Sequence, residues 1–341
     1  MSPNSHHFKQ NHPARLTPLL YGVIVVLMLL SLMLGAARLT PLALWHGLWH
    51  PASLEGLILY EIRLPRSLLA PLIGAAFGAA GAALQGFLRN PLADPSVLGA
   101  PQMAALGAAA AIFWGGIAST SLGLASVAIS FALASVGLVV LVAGRAASTA
   151  TMLIAGLAIA SLASALLSFV LALSQNPFAL AEVVFWLIGS LEDRSWAHVG
   201  IAVPPILLGL GLLLSTRRGL SALVLGEEAA ASLGVDLAGL RWRIALGVAL
   251  AIGGAVSVAG AIGFVGLLAP HMVRAAMGQD AGRVVLPAAL AGAALVLAAD
   301  ILARLIPSPG EIKVGMVTAL VGVPVFLLVL VKNRARFTEG L

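Results

Sequence analysis

RRGLSALVLGEEAAASLGVDLAGLRWR, running from Arg217 to Arg243, is a polar island set between two apolar runs, Val199–Leu214 and Ile244–Ala269. Flanking runs of this kind approach or exceed the ~20 apolar residues that carry a helix across a bilayer core. The island is therefore a loop on one side of a membrane. It is also helix-forming in its own right: Glu227 and Glu228 stand where acids favour a helix N-terminus, and Gly234 is placed to end the turn. A charged loop that carries its own helix offers that helix to a soluble partner.

The rest of the 341 residues agree with a membrane setting. Only 9% are charged and the mean hydropathy is +1.06, whereas soluble domains carry about 25% charged residues. Further apolar runs lie at Leu19–Ala37, Leu68–Leu88, Ser96–Trp114, Leu122–Ala143, Met152–Leu173, Val284–Ile306 and Met316–Val331. Their continuity excludes the alternating strands of a membrane barrel. The fold class is all-α, a polytopic membrane helical bundle. The Gly-rich stretch Gly253–Pro270 is long enough to hold parts of two helices. Spacings such as Gly74 to Gly78 allow close helix packing.

The first run exceeds the 7–15 apolar residues of a secretory signal, so it reads as an uncleaved span with the N-terminus in the cytoplasm. If loops then alternate, 13 of the 19 basic residues fall on the cytoplasmic side and 6 outside, as the positive-inside rule requires. Both termini are expected in the cytoplasm. The organisation expected is a tail over residues 1–15, one transmembrane domain over 16–332 containing the 217–243 loop, and a tail over 333–341. The net charge of +6 is spread over these loops and marks topology, not a nucleic-acid surface.

Much chemistry is excluded. With no cysteine there are no disulfides or thiolate metal sites. None of the three lysines closes a GxxxxGK[ST] phosphate loop. No metal-binding histidine pattern occurs; His46 and His50, beside Trp45 and Trp49, fit an interfacial turn. Asp300 and Arg304 are spaced as an i, i+4 ion pair near the outer end of a span. Intramembrane charge otherwise is scarce, which disfavours an ion-coupled carrier. His271 with Asp300 is the thin candidate for an intramembrane enzyme.

Four segments at alternating faces remain. Glu61-Ile62-Arg63-Leu64-Pro65-Arg66 opens a span with two guanidinium forks suited to carboxylates, or to interfacial anchoring. Arg89-Asn90-Pro91-Leu92-Ala93-Asp94-Pro95 makes a tight turn, because prolines bias their predecessors away from helix. The island is the third. The fourth is GAIGFVGLLAPH, Gly260–His271, a break within a bent or discontinuous helix.

Together and in order, RLPR, QGFLRNPLADPSVLGA, LGEEAAASLGV, GAIGFVGLLAPHMVR, LPAALAGAALVLAADILAR and GMVTALVGVPVF resemble the FecCD family of ABC importer permeases, from about Ile62 to Val331. The resemblance implies about ten transmembrane helices per subunit, a homodimer, two cytoplasmic ABC ATPase subunits holding ATP and Mg, and a periplasmic binding protein. It implies a multi-pass inner-membrane location, no cofactor or metal on this chain, no catalytic residue and no nucleic-acid partner.

Arg63, Arg66 and Arg304 match outward-facing arginines that receive glutamates of the binding protein. Asn90, Leu92, Ser148 and Thr149 match an inner gate. Leu225, Gly226, Glu227, Glu228, Ala229, Ala230, Leu233 and Gly234 match the helix that seats in the ATPase. Ala261, Lys313 and Ala281 depart from the family pattern, which bears on local helix breaks. The cargo implied is an Fe3+-siderophore, with haem or cobalamin as alternatives. An ion-coupled secondary transporter is the rival class.

Overall fold

The computed structural model describes residues 13–35, 39–117, 121–144, 149–174, 176–278, 280–308 and 310–332. Most of both tails, together with Ser148, lies outside them. The described chain is helical throughout: α1 (Pro13–Met33), α2 (Pro41–Trp49), α3 (Leu54–Phe87), α4 (Ala100–Gly115), α5 (Leu122–Ala143), α6 (Thr149–Ala172) and α7 (Pro177–Ile188) are followed by α8 (Trp196–Ser215), α9 (Arg217–Leu223), α10 (Glu227–Ser232), α11 (Leu237–Ala259), α12 (Val265–Met277), α13 (Ala281–Leu305) and α14 (Val314–Lys332). Seven of these, α1, α3, α5, α6, α8, α11 and α13, are long and apolar enough to cross a membrane. The shorter α4, α12 and α14 pack into the same bundle.

Three helices form the centre. In their most apolar windows 78% of α3, 78% of α11 and 72% of α13 is buried, against 6% of α1. A membrane gives no hydrophobic drive for helix association, so small residues and direct backbone contact do the packing. At the α3–α13 crossing a Cβ on Gly74 would overlap the Gly292 carbonyl, and one on Gly78 would overlap that of Ala288. The glycine spacing in α3 thus serves the antiparallel seam on which the bundle is built.

The expected break is present and sharper than a bend. α11 stops at Ala259, Gly260 takes φ +69°, and α12 starts at Val265 behind Phe264 at φ +66°. Gly260 is required there twice over, since a Cβ would also strike the Trp186 carbonyl. Two features differ from the sequence expectation. The run Ser96–Trp114 is not one helix: a 3-10 turn over Pro95–Leu98 ends at Gly99, φ +72°, before α4 begins. The apolar α7 has no counterpart among the apolar runs, because its 12 residues fall below span length.

Contacts define two ends. At one, here the arginine end, Trp196 Nε1 at the start of α8 donates to the Tyr60 carbonyl in α3 at 2.8 Å, and Gly315 N of α14 donates to the Gly189 carbonyl at 3.1 Å. At the other, the island end, Arg217 Nε donates to the Gly282 carbonyl at 3.1 Å and Ser221 Oγ to Asp280 Oδ1 at 2.5 Å.

Candidate functional site

The island folds into two short helices. α9 packs on the start of α13, and α10 stands out from it between Gly226, φ +103°, and Gly234, φ +81°. Gly234 N donates to the Ala231 carbonyl at 2.9 Å and Val235 N to that of Ala230 at 3.0 Å, closing the helix as the sequence implied. Ala230 is fully buried, and Glu227 lies 3.6 Å from Arg241 at the start of α11. These ties hold α10 against the bundle. Leu225 and Leu233, by contrast, are 68% and 66% exposed at its two ends. Where the end of α8 and α9 meet the start of α13, a groove of about 630 Å³ is bordered by Arg217, Arg218 and Arg283 with Asp280. α10 is thus a short knob anchored to the bundle, with an exposed leucine at each end.

The proline turn leaves α3 at the same end. Asn90 Oδ1 accepts from Leu92 N at 2.9 Å, and Asp94 Oδ1 accepts from Ser96 N at 3.0 Å. These side-chain turns replace the helix that Pro91 and Pro95 forbid. Burial pushes the Asp94 carboxyl above its ordinary range, while its hydrogen bonds with Ser96 pull it back. The segment dips into the bundle: Cβ atoms added to Gly156 and Gly266 would meet the Val97 carbonyl and Pro95. Asn90 and Leu92 stay exposed. Thr149 is the first residue of α6, the helix on which the turn packs.

At the opposite end the three arginines gather, but not as an exposed set. Arg63 and Arg66 are buried. Arg66 Nε and Nη2 donate to Asp300 Oδ1 at 2.8 and 2.7 Å, Nη1 donates to Glu311 Oε2 at 3.0 Å, and Nη2 also donates to Glu311 Oε1. Arg304 Nη2 lies 2.8 Å from Asp300 Oδ2 and donates to Ser31 Oγ at 2.6 Å. Its Nη1 donates to the Ser31 and Leu34 carbonyls at 3.0 Å each, and Arg63 Nη1 donates to the same Leu34 carbonyl. The expected exposure gives way for a physical reason: an unpaired charge inside an apolar bundle costs several kcal/mol, so each guanidinium turns inward to available acceptors.

The Asp300–Arg304 pair expected from spacing is present, and Arg66 shares it. Glu311, Ser31 and the Leu34 carbonyl are partners the sequence did not disclose. A carboxylate in the short loop between two apolar runs was the one available signal for Glu311. Nearby, Lys313, a departure from the family pattern, binds Glu192. Among the described residues no group of three His, Asp or Glu side chains is placed to hold a metal.

Residues 23–332 match the FecCD transport family. The chain is 35% identical to the vitamin B12 import system permease protein BtuC of Vibrio cholerae over 96% of each chain. It is also 35% identical to the Fe(3+) dicitrate transport system permease protein FecD of Escherichia coli K12, over 90% of this chain and 95% of that one. A solved structure of a metal-chelate type ABC transporter in an inward-facing conformation superposes with a TM-score of 0.82 at 31% identity, covering 94% of this chain and 99% of the other. The bundle thus has the fold of a known transporter class. The chain belongs to the FecCD transport family and is a permease subunit of an ABC importer, with ATP hydrolysis residing in a separate subunit.

Proposed function

We propose that this chain forms the membrane conduit of an importer for an iron(III) chelate of the siderophore type, working as a homodimer in the bacterial inner membrane with both termini in the cytoplasm. The island end then faces two ATPase subunits, which hold the ATP and magnesium. The arginine end faces a periplasmic binding protein. The observation that carries the reading is the exposed pair Leu225 and Leu233 flanking a helix that is otherwise pinned to the bundle. Exposed leucines on a helix anchored to the bundle favour a protein partner, because an anchored helix passes a partner's movement on to the bundle.

In this reading closure of the ATPases pulls on α10. That pull shifts the balance between two states of the conduit, and the differential contacts of the partners, not covalent chemistry, supply the drive. Asn90, Leu92, Ser148 and Thr149 act at the cytoplasmic gate, the first two through the dipping turn. Arg63, Arg66 and Arg304 serve docking of the binding protein.

Replacing Leu225 and Leu233 by glutamate should release the ATPase during purification while the permease keeps its elution volume. Undiminished co-purification would refute the assignment. A second cargo reading is supported by the relatives: proteins importing vitamin B12 in Vibrio cholerae and cobalamin in Halobacterium salinarum, the latter 41% identical over 82% of this chain. Uptake of radio-iron chelates against radio-cobalt cobalamin by vesicles containing the complete importer separates the two.

A further inference from the structure

We propose that Glu311 is an internal carboxylate that holds Arg66 in the undocked permease, and that a partner's carboxylate displaces it, freeing the loop that leads into α14. The inference rests on the reading of the arginine end as the docking face and adds to it a stand-in ligand and a route inward.

The two carboxylates on Arg66 are not equivalent. Asp300 sits on α13 with its side chain 0% exposed and is shared with Arg304. Glu311 sits on the loop between α13 and α14, with its side chain 22% exposed on the solvent side. An incoming glutamate could not reach Arg66 with Glu311 in place, since it would meet a like charge as well as a blocked fork. Exchange resolves this: one carboxylate leaves for water as another arrives from it. Arg66 stays paired throughout, and the several-kcal/mol penalty for an uncompensated buried charge is avoided. The five side chains Arg63, Arg66, Arg304, Asp300 and Glu311 carry a net charge of +1, so the cluster as a whole attracts an anion.

Position gives the exchange its consequence. Glu311 is three residues ahead of Val314, the first residue of α14. The same loop is tied by Lys313 to Glu192, and Gly315 N is tied to the Gly189 carbonyl at 3.1 Å. Release of Glu311 removes the tie to α3 and leaves the ties to the 189–192 segment. Docking thereby removes the Glu311 link between this loop and α3 while α14 stays packed on α13 and α12.

The test is reactivity of Arg66 toward phenylglyoxal, read by mass spectrometry on the full-length permease in detergent. Glu311→Gln should raise it on the order of tenfold, the change expected when a pair worth one power of ten in occupancy is removed. Lys313→Gln should leave it near the parent value. Excess N-acetylglutamate, but not N-acetylglutamine, should restore protection in Glu311→Gln.

Unchanged reactivity in Glu311→Gln overturns the proposal, as does an equal rise in Lys313→Gln. A rise that N-acetylglutamate fails to reverse better than N-acetylglutamine instead overturns the carboxylate-docking reading and with it the exchange step. If Glu311→Gln loses its native elution volume, Glu311→Asp gives the same information: its shorter arm should produce an intermediate reactivity, and full protection would refute the role.

Discussion

Asp300 lies between two guanidiniums and is fully buried, so its removal strands Arg304 and leaves Arg66 with Glu311 as its remaining carboxylate partner. Breaking a buried pair by deleting one partner costs about 3–5 kcal/mol. Asp300→Asn, nearly isosteric, is expected to lose stability of that order in denaturant unfolding of the detergent-solubilised protein. The surface pair Arg283–Asp280, whose arginine side chain is 69% exposed, sets the contrast: Arg283→Ala should change stability by about 0–1 kcal/mol. Equal losses in the two variants would show that the cluster is solvated and not sealed. The same geometry bears on charge reversal at the proposed docking face. Arg66→Glu would place a third carboxylate against Asp300 and Glu311, so lost delivery in that variant reports a broken cluster as much as a lost docking contact. Glu311→Gln is the cleaner probe.

At the scale of helices the decisive contact is backbone against backbone. A Cβ on Gly292 would overlap the Gly74 carbonyl in α3, and no side chain is there to swing aside. Gly292→Val should separate α3 from α13 and lower stability by about 1–3 kcal/mol or more, as overpacking does. Gly211 on α8 has open space where its Cβ would go, so Gly211→Ala should be neutral or stabilise by up to about 1 kcal/mol through helix propensity. Thermal unfolding of the two variants checks the pair, and similar losses would mean that α3 and α13 are not in direct contact.

These helices were largely legible in the sequence, since apolar runs report span length and the glycines of Gly253–Pro270 announce an interruption. α7 escaped because 12 residues do not fill a bilayer, and the start of α4 was misplaced because Gly99 and the 3-10 turn before it are as apolar as a helix. The knob at α10 was visible for the opposite reason, being charge in an apolar chain. The arginine cluster was half visible. Asp300 and Arg304 are a helical turn apart, whereas Arg66 finds Asp300 across 234 residues and Glu311 across 245, and no local pattern encodes such pairings.

Across the whole molecule the two ends differ in physical character, and that difference is itself open to measurement. If the knob seats in the ATPase, as proposed, it does so through the exposed Leu225 and Leu233, so burial of apolar surface dominates and added salt should spare the contact. If the opposite face docks a binding protein by carboxylate on guanidinium, as proposed, the partner's carboxylate approaches through solvent, where charge attraction fades as the screening length falls from about 10 Å at 0.1 M to 3 Å at 1 M salt. In proteoliposomes containing permease, ATPase and binding protein, raising ionic strength should therefore suppress uptake that depends on the binding protein while the ATPase remains bound to the washed membranes. Supplying more binding protein should restore uptake at high salt, because a weakened association is recovered by mass action. Loss of the ATPase at the same ionic strength, or uptake indifferent to both salt and binding-protein concentration, would contradict the division of labour between the two ends.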